Sequence, residues 1–250
     1  MPFYFWILLL VWNLVALGVF LLLFFVTAPY GRHERAGWGL RVPNRWGWIG
    51  MEVVSPLVFA YFFWAGQSPK TWPVLVFFAL WVGHYFNRSL IFPFRLKTQG
   101  KTMPLSIVLS AVFFNSVNGF LNGHFLGHLA HYPVAWGSDI RFWAGLGLFL
   151  VGMAVNVHAD EVLLRLRKPG QTDYQIPQGG LYRWVSSPNY LGEMMEWLGF
   201  ALMTWSWPGL TFALWTVANL APRAWANHCW YQQKFREYPA QRRALLPFIW

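Results

Sequence analysis

The chain has 250 residues, 56% of them apolar and only 11% charged, with 18 Trp, whereas a soluble domain carries about 25% charge to cover its surface. That balance excludes a domain whose whole surface meets water, and a single cysteine excludes an internal disulfide framework. The net charge of +10 is spread over separate loops, which speaks against nucleic acid as a partner.

Apolar stretches near the length needed to cross about 30 Å of hydrocarbon run over 5–27, 50–66, 73–94, 104–122, 141–163, 189–206 and 208–226. The first, Phe5 to Val26, is too long for a signal-peptide core and lacks a basic start, so it reads as a permanent span. Only Ser206, Trp207 and Pro208 separate the last two. The loops between spans alternate sides. Arg32, Arg35, Arg41 and Arg45 follow the first span, and Arg88, Arg95, Lys97 and Lys101 end and follow the third. Arg165, Arg167, Lys168 and Arg183 follow the fifth, and Arg223, Lys234, Arg236, Arg242 and Arg243 occupy the tail. Lys70 and Arg141 alone fall to the other side. The positive-inside rule then predicts an outer N-terminus and a cytoplasmic C-terminus. The expected fold is an all-α integral membrane protein, one domain over 1–250 built as a bundle of about seven transmembrane helices. No internal repeat, low-complexity tract or flexible linker breaks it.

Ionisable groups inside apolar spans cost about 2.5–3.5 kcal/mol at the bilayer centre and usually line a cavity or site. Of nine acids, Glu52, Asp160, Glu193 and Glu196 sit this way. Asn156 and Asp160 are one helical turn apart, with Arg167 further along the same face, and Asn189, Glu193 and Glu196 repeat the pattern. His84 and Arg88 form a third stripe with Tyr85 beside them. Interhelical hydrogen bonding explains one such residue; three stripes mixing acids, amides, Arg and Tyr favour a polar cavity. Pro169-Gly170 stops a helix, Gly179-Gly180 permits a tight turn, and Ser187-Pro188 reads as a helix start with Ser as cap. Backbone donors there, near Arg167 and Lys168, suit a phosphate.

His124, His128 and His131 have a spacing compatible with a metal, but they lie at the outer end of the fourth span without a carboxylate, and an interfacial polar face is the preferred reading. Neither a dinucleotide-binding GxGxxG after a strand nor a P-loop is present, and no hydrolase triad is supported. The residues alone lead to a helical membrane bundle with a cytoplasm-facing polar cavity and an anionic-ligand signal; they name no reaction.

Three stretches carry a resemblance: NVHADEVLLRLRKPG at 156–170, YQIPQGGLYRWVSSPNYLGEMMEWLGFAL at 174–202 and EYPAQRRALLPFIW at 237–250, with HYFNR at 84–88 and Met51-Glu52 matching more briefly. They resemble the steroid 5α-reductases (3-oxo-5α-steroid 4-dehydrogenases), collinearly from about residue 40 onward. The resemblance implies an NADPH-binding C-terminal half, about 139–250, and a substrate cavity in the N-terminal half, about 1–122. It implies cofactor contacts at Asn156, Asp160, Arg167, Tyr174, Asn189, Glu193, Arg223 and Tyr231, with Arg88 and Lys101 added from the N-terminal half. Glu52 and Tyr85 correspond to the pair that holds the substrate ketone. The implied reaction passes a hydride from NADPH to the β-carbon of a 4-ene-3-one, while Tyr85, and Glu52 if protonated, stabilise the enolate oxygen.

Met51, Ser110 and Gln175 depart from the residues expected of the family, which bears on the substrate more than on the chemistry. A related reductase of 2-enoyl thioesters or polyprenols, and a membrane methyltransferase using S-adenosylmethionine, are the alternatives; a transporter is disfavoured because the polar groups cluster toward one face. The implied partners are a steroid or other lipid enone and membrane lipids, with no metal, no nucleic acid and no obligatory protein partner. The expected location is a bacterial inner membrane or the endoplasmic reticulum, with the cofactor site facing the cytoplasm.

Overall fold

The computed structural model describes residues 1–97, 100–166 and 173–250. Helices stand at all seven expected stretches: α1 (Phe3–Phe25), α2 (Asn44–Ala65), α3 (Trp72–Phe86), α5 (Leu105–His124), α6 (Ile140–Leu166), α7 (Pro188–Thr204) and α8 (Trp207–Lys234), with the short α4 (Phe92–Arg95) continuing α3. A π turn, Asn87–Ile91, joins α3 to α4, and another, Phe125–Leu129, extends α5. Among the described residues, five helical stretches are long and apolar enough to cross a membrane: Phe3–Phe25, Asn44–Ala65, Trp72–Arg95, Leu105–Leu129 and Ile140–Leu166. α7 and α8 fall short of that mark. α7 has only 17 residues, and in α8 Asn219, Arg223 and Asn227 dilute the apolar content.

The chain forms two compact units. The first comprises Met1–Leu9, Ala28–Trp143 and Ser206–Gly209. Within it a two-stranded antiparallel ladder pairs β1 (Arg41–Pro43) with β2 (Thr102–Pro104), Val42 opposite Met103. Each strand ends in a proline from which a helix departs, α2 after Pro43 and α5 after Pro104. Arg41 braces the ladder, donating from Nε to Thr102 Oγ1 at 2.7 Å and pairing with Glu34. α2 and α5 then run parallel in close contact, because Gly119, Gly123 and Gly127 present no side chain where Ser55, Phe59 and Phe62 pass. A Cβ on Gly123 would lie 2.5 Å from the Phe59 carbonyl oxygen, so this is small-residue packing of the kind that lets helices approach closely in lipid. Phe59 stacks on Trp81 of α3 at 4.7 Å and 9°, closing the core of the unit.

The Asp139 carboxylate starts α6, accepting from the Arg141 backbone N–H at 2.8 Å and from its guanidinium at 2.9 and 2.7 Å. The Arg141 side chain and backbone N–H hold the Asp139 carboxyl down to about 2. A depressed carboxylate contributes stability above its unfolded value near 4 and loses that contribution as pH falls through the folded one. Asp139→Asn is therefore expected to lower the thermal midpoint between pH 5 and 7, with the difference from wild type shrinking below pH 4 and vanishing near pH 2. A thermal-shift series over pH checks this.

The second unit comprises Leu10–Thr27, Ala144–Trp205 and Leu210–Trp250. Its α6 and α7 cross antiparallel with glycines facing glycines: an added Cβ on Gly152 would lie 2.6 Å from the Gly192 carbonyl oxygen, and one on Gly199 2.6 Å from that of Gly145. α1 is tied to α8 by Asn13 Nδ2 donating to Thr211 Oγ1 at 2.8 Å and by Trp215 Nε1 donating to the Trp12 carbonyl at 3.1 Å. Trp197 fills the centre against Phe149 and Phe212. The predicted helix start at Ser187-Pro188 is present, with Pro188 in the first turn, but Ser187 makes no side-chain cap bond. Its hydroxyl instead accepts from Asn227 Nδ2 at 3.3 Å, which recruits it to α8.

Candidate active site

The first unit holds the expected substrate pair. Tyr85 is buried on α3, its ring against Trp81 and His84. Its hydroxyl donates to Asn115 Oδ1 at 3.4 Å, and Asn115 Nδ2 donates to the Met51 carbonyl at 2.6 Å. One amide on α5 therefore links the Tyr85 hydroxyl to the backbone immediately before Glu52, which is half-buried on α2. The Tyr85 bond is long for an O–H···O contact. Arg88 sits in the π turn, its guanidinium 5.1 Å from the Trp48 ring centroid and 4.9 Å from that of Phe92, while Trp48 Nε1 donates to its carbonyl at 3.1 Å. A π turn inserts a residue into the helical repeat and re-aims the side chains after it. Lys101 precedes β2, and its carbonyl accepts from Asn44 N at 2.9 Å.

The expected cofactor residues gather in the second unit. Asn156 Nδ2 donates to the Asn189 carbonyl at 2.9 Å, and Asn189 Nδ2 donates to Asp160 Oδ1 at 3.0 Å, forming a polar ladder between α6 and α7. Glu193 lies one turn beyond Asn189, half-buried. Arg223 on α8 is buried and donates from Nε to the Tyr190 hydroxyl at 3.3 Å. Tyr174 packs edge-on against Trp230 at 5.0 Å, and Tyr231 stacks on Tyr238 at 5.3 Å and 6°. Arg167 lies outside the described residues.

Several residues here escaped the sequence reading. Ser186 Oγ lies 2.7 Å from His228 Nδ1, 2.6 Å from the Tyr238 hydroxyl and 3.1 Å from the Arg243 carbonyl. Burial raises the Tyr238 phenol pKa, partly offset by the Ser186 hydrogen bond and Arg242. Gln232 faces the other His228 nitrogen at 3.0 Å. With an amide rather than a carboxylate behind the imidazole, and the serine buried, this group is a clasp and not a nucleophile. Arg242, also buried, donates to the Pro177 carbonyl at 3.0 Å and to Gln178 Oε1 at 2.8 Å, and Val185 forms a parallel bridge with Arg243. The segment after α8 thereby fastens the loop before α7. Gly179 and Gly180 in that loop have φ of 92° and 51°, values that favour glycine. A Cβ at Gly180 would lie 2.5 Å from His158 Nε2.

Among the described residues no group of three His, Cys, Asp or Glu is arranged to hold a metal, and His124 and His128 stack at 4.6 Å. Of the departures from the family pattern, Met51 packs with Met103 and Val108, and Ser110 bonds its own helix at the Ser106 carbonyl, 2.8 Å away. Gln175 is exposed.

Fold and site together define a helical membrane protein with one unit built around a buried amide–carboxylate ladder and another around a tethered tyrosine. The sequence profile described as 3-oxo-5-alpha-steroid 4-dehydrogenase matches residues 101–250. The chain is 43% identical to a steroid 5-alpha-reductase DET2 of Gossypium hirsutum, covering 97% of this chain and 96% of the relative. It is 42% identical to 3-oxo-5-alpha-steroid 4-dehydrogenase 1 of Homo sapiens over 88% of this chain and 85% of that protein. The Sus scrofa 3-oxo-5-alpha-steroid 4-dehydrogenase 2 is 41% identical over 95% and 94%. The chain belongs to the 3-oxo-5-alpha-steroid 4-dehydrogenase family and is an oxidoreductase acting on a CH–CH group.

Proposed function

We propose that this protein reduces the C4–C5 double bond of 3-oxo-4-ene steroids to 5α-dihydro products with NADPH as reductant. The observation that carries the reading is the near full-length likeness to relatives bearing that activity in their names. The donor set of the second unit fits such a cofactor. A buried carboxylate and amides, Asp160, Asn156 and Asn189, suit hydroxyl and amide groups, Arg223 suits a phosphate, and half-buried Tyr174 offers a ring face, while Tyr231, stacked on Tyr238, is assigned by the family resemblance. Glu193 completes that set, and Arg88, Lys101 and Arg167 are assigned to the same cofactor by the family resemblance. NADPH, when bound, supplies the hydride that adds to the β-carbon of the enone.

The chain's own residues act on the substrate oxygen. As negative charge gathers there, Tyr85 turns its hydroxyl proton from Asn115 to that oxygen, and Glu52, in its protonated form, donates to it as well. Asn115 holds the tyrosine in place through the Met51 carbonyl. The apolar walls of Trp81 and Phe59 limit water at the tyrosine ring. A proton from solvent completes the α-carbon. Seven spans with a cytoplasmic C-terminus, and a location in a bacterial inner membrane or the endoplasmic reticulum, complete the reading, supported by the distribution of Lys and Arg.

The test is NADPH oxidation by protein in detergent with a 4-ene-3-oxo steroid, the product identified by mass spectrometry and stereochemistry. A 5α-dihydro product is expected. NADPH binding without turnover moves the substrate to another enone or an enoyl lipid. Folded protein that binds S-adenosylmethionine and not NADPH overturns the reading.

A further inference from the structure

Residues 245–250 form a closed hairpin whose Leu245 is buried. Leu245 N and Leu246 N both donate to the Trp250 carbonyl, at 2.9 and 2.6 Å, and Trp250 N returns a bond to the Leu246 carbonyl at 3.1 Å. Leu245 is buried with Met194, Ala221 and Ala224, and Phe20 of α1 and Trp250 pack against that cluster. Trp250 also stacks on Trp225 of α8 at 6.0 Å and 10°. Phe20 lies about one and a half turns before α1 ends at Phe25, roughly 7 Å along the axis. α1 is itself long and apolar enough to cross a bilayer, so the hairpin packs beside the last turns of a candidate span.

The hairpin turns its largest apolar groups outward. Phe248 is 76% exposed and Ile249 78%. Phe248 does so with φ of 67°, a conformation that a bulky L-residue adopts only under constraint from its surroundings. Trp184 lies 6.3 Å from Phe248, half-exposed, with the Arg183 guanidinium 6.0 Å from its ring. Exposed Arg243 immediately precedes the hairpin segment. Apolar tips beside the end of a candidate span, ringed by Trp and Arg, match the composition of an interfacial anchor.

We propose that the 245–250 hairpin is a membrane-interface anchor, its Phe248 and Ile249 seated at the headgroup–acyl boundary of the leaflet in which α1 ends. Through the Val185–Arg243 bridge and the Ser186–Arg243 backbone bond of 2.9 Å, the anchor holds the loop before α7 at a fixed height over the bilayer. The occupant is phospholipid. The inference rests on α1 crossing the membrane and is independent of the substrate.

The test places a nitroxide at Ile249→Cys, with Gln241→Cys as a water-facing control, both on a Cys229→Ser background in phospholipid nanodiscs. Relaxation by dissolved oxygen relative to a water-soluble nickel chelate reports depth. The ratio at 249 is expected to exceed that at 241 severalfold. Equal ratios overturn the anchor. Spectral broadening at 249 that disappears on dilution with unlabelled chain also overturns it, by assigning the patch to a second copy. A second measurement uses the unaltered chain: a bilayer-soluble carbene reagent should label peptide 244–250 and spare 235–243, and the absence of label in 244–250 counts against the anchor.

Discussion

Tyr85→Phe is expected to lower kcat by roughly 10²–10³, the usual consequence of removing one donor from a developing oxyanion, while NADPH affinity stays within about twofold. The phenyl ring keeps its packing on Trp81 and His84, so the loss isolates the hydroxyl. The hydroxyl's bond to Asn115, at 3.4 Å, is too long to contribute much to stability, and the thermal midpoint should move little. Glu52→Leu removes the second donor and should cost a comparable factor, whereas Glu52→Gln retains an N–H and should cost less. Because both groups act on one oxygen, the double variant should be less impaired than the product of the singles. Steady-state and single-turnover kinetics, with cofactor binding measured separately, decide the matter. Near-normal turnover in Tyr85→Phe and Glu52→Leu, with cofactor bound, removes the enolate-stabilising role.

The helices were readable from hydropathy because lipid demands uninterrupted apolar length and internal backbone hydrogen bonding. Each expected stretch coincides with a helix, although α8 extends to Lys234, past the apolar limit at 226. The polar stripes were readable for the same reason: Asn156 and Asp160 stand out in an apolar run, and Asn189 joins them within hydrogen-bond distance. The same criterion, applied to α5, would have found Asn115, Asn118 and Asn122, all buried on one face. That signal lies in the same stretch as His124 and His128, which follow it.

The clasp was not readable. Ser186, His228 and Tyr238 meet only because the segment after α8 folds back onto the loop before α7. Nothing in local propensity brings residues tens of positions apart together. Ser187 shows the converse, a residue with good local chemistry for a cap that a tertiary partner, Asn227, recruited instead. The glycines of α6 and α7 carry a recognisable spacing, Gly145 with Gly152 and Gly192 with Gly199, yet only the antiparallel crossing shows that each pair faces the other.

That crossing makes Gly192→Ala the substitution expected to disturb both fold and cofactor site. The added methyl would meet the Asn156 backbone nitrogen at 2.5 Å and the Gly152 carbonyl oxygen at 2.6 Å. Both are helix backbone, so neither can rotate away and α6 must separate from α7. Overpacking of this kind costs about 1–3 kcal/mol, seen as a lowered thermal midpoint. The separation falls one turn from the Asn156–Asn189 bond at 2.9 Å and the Asn189–Asp160 bond at 3.0 Å, so the ladder should open with it. NADPH affinity is then expected to fall tenfold or more, about 1.4 kcal/mol or greater in binding. Gly147→Ala on α6 is the matched control, because a Cβ there meets nothing within 4 Å, and it should leave affinity unchanged while raising stability by up to about 1 kcal/mol through helix propensity. Equal thermal midpoints and equal cofactor affinities for the two variants would mean that the glycine seam does not set the spacing of the ladder.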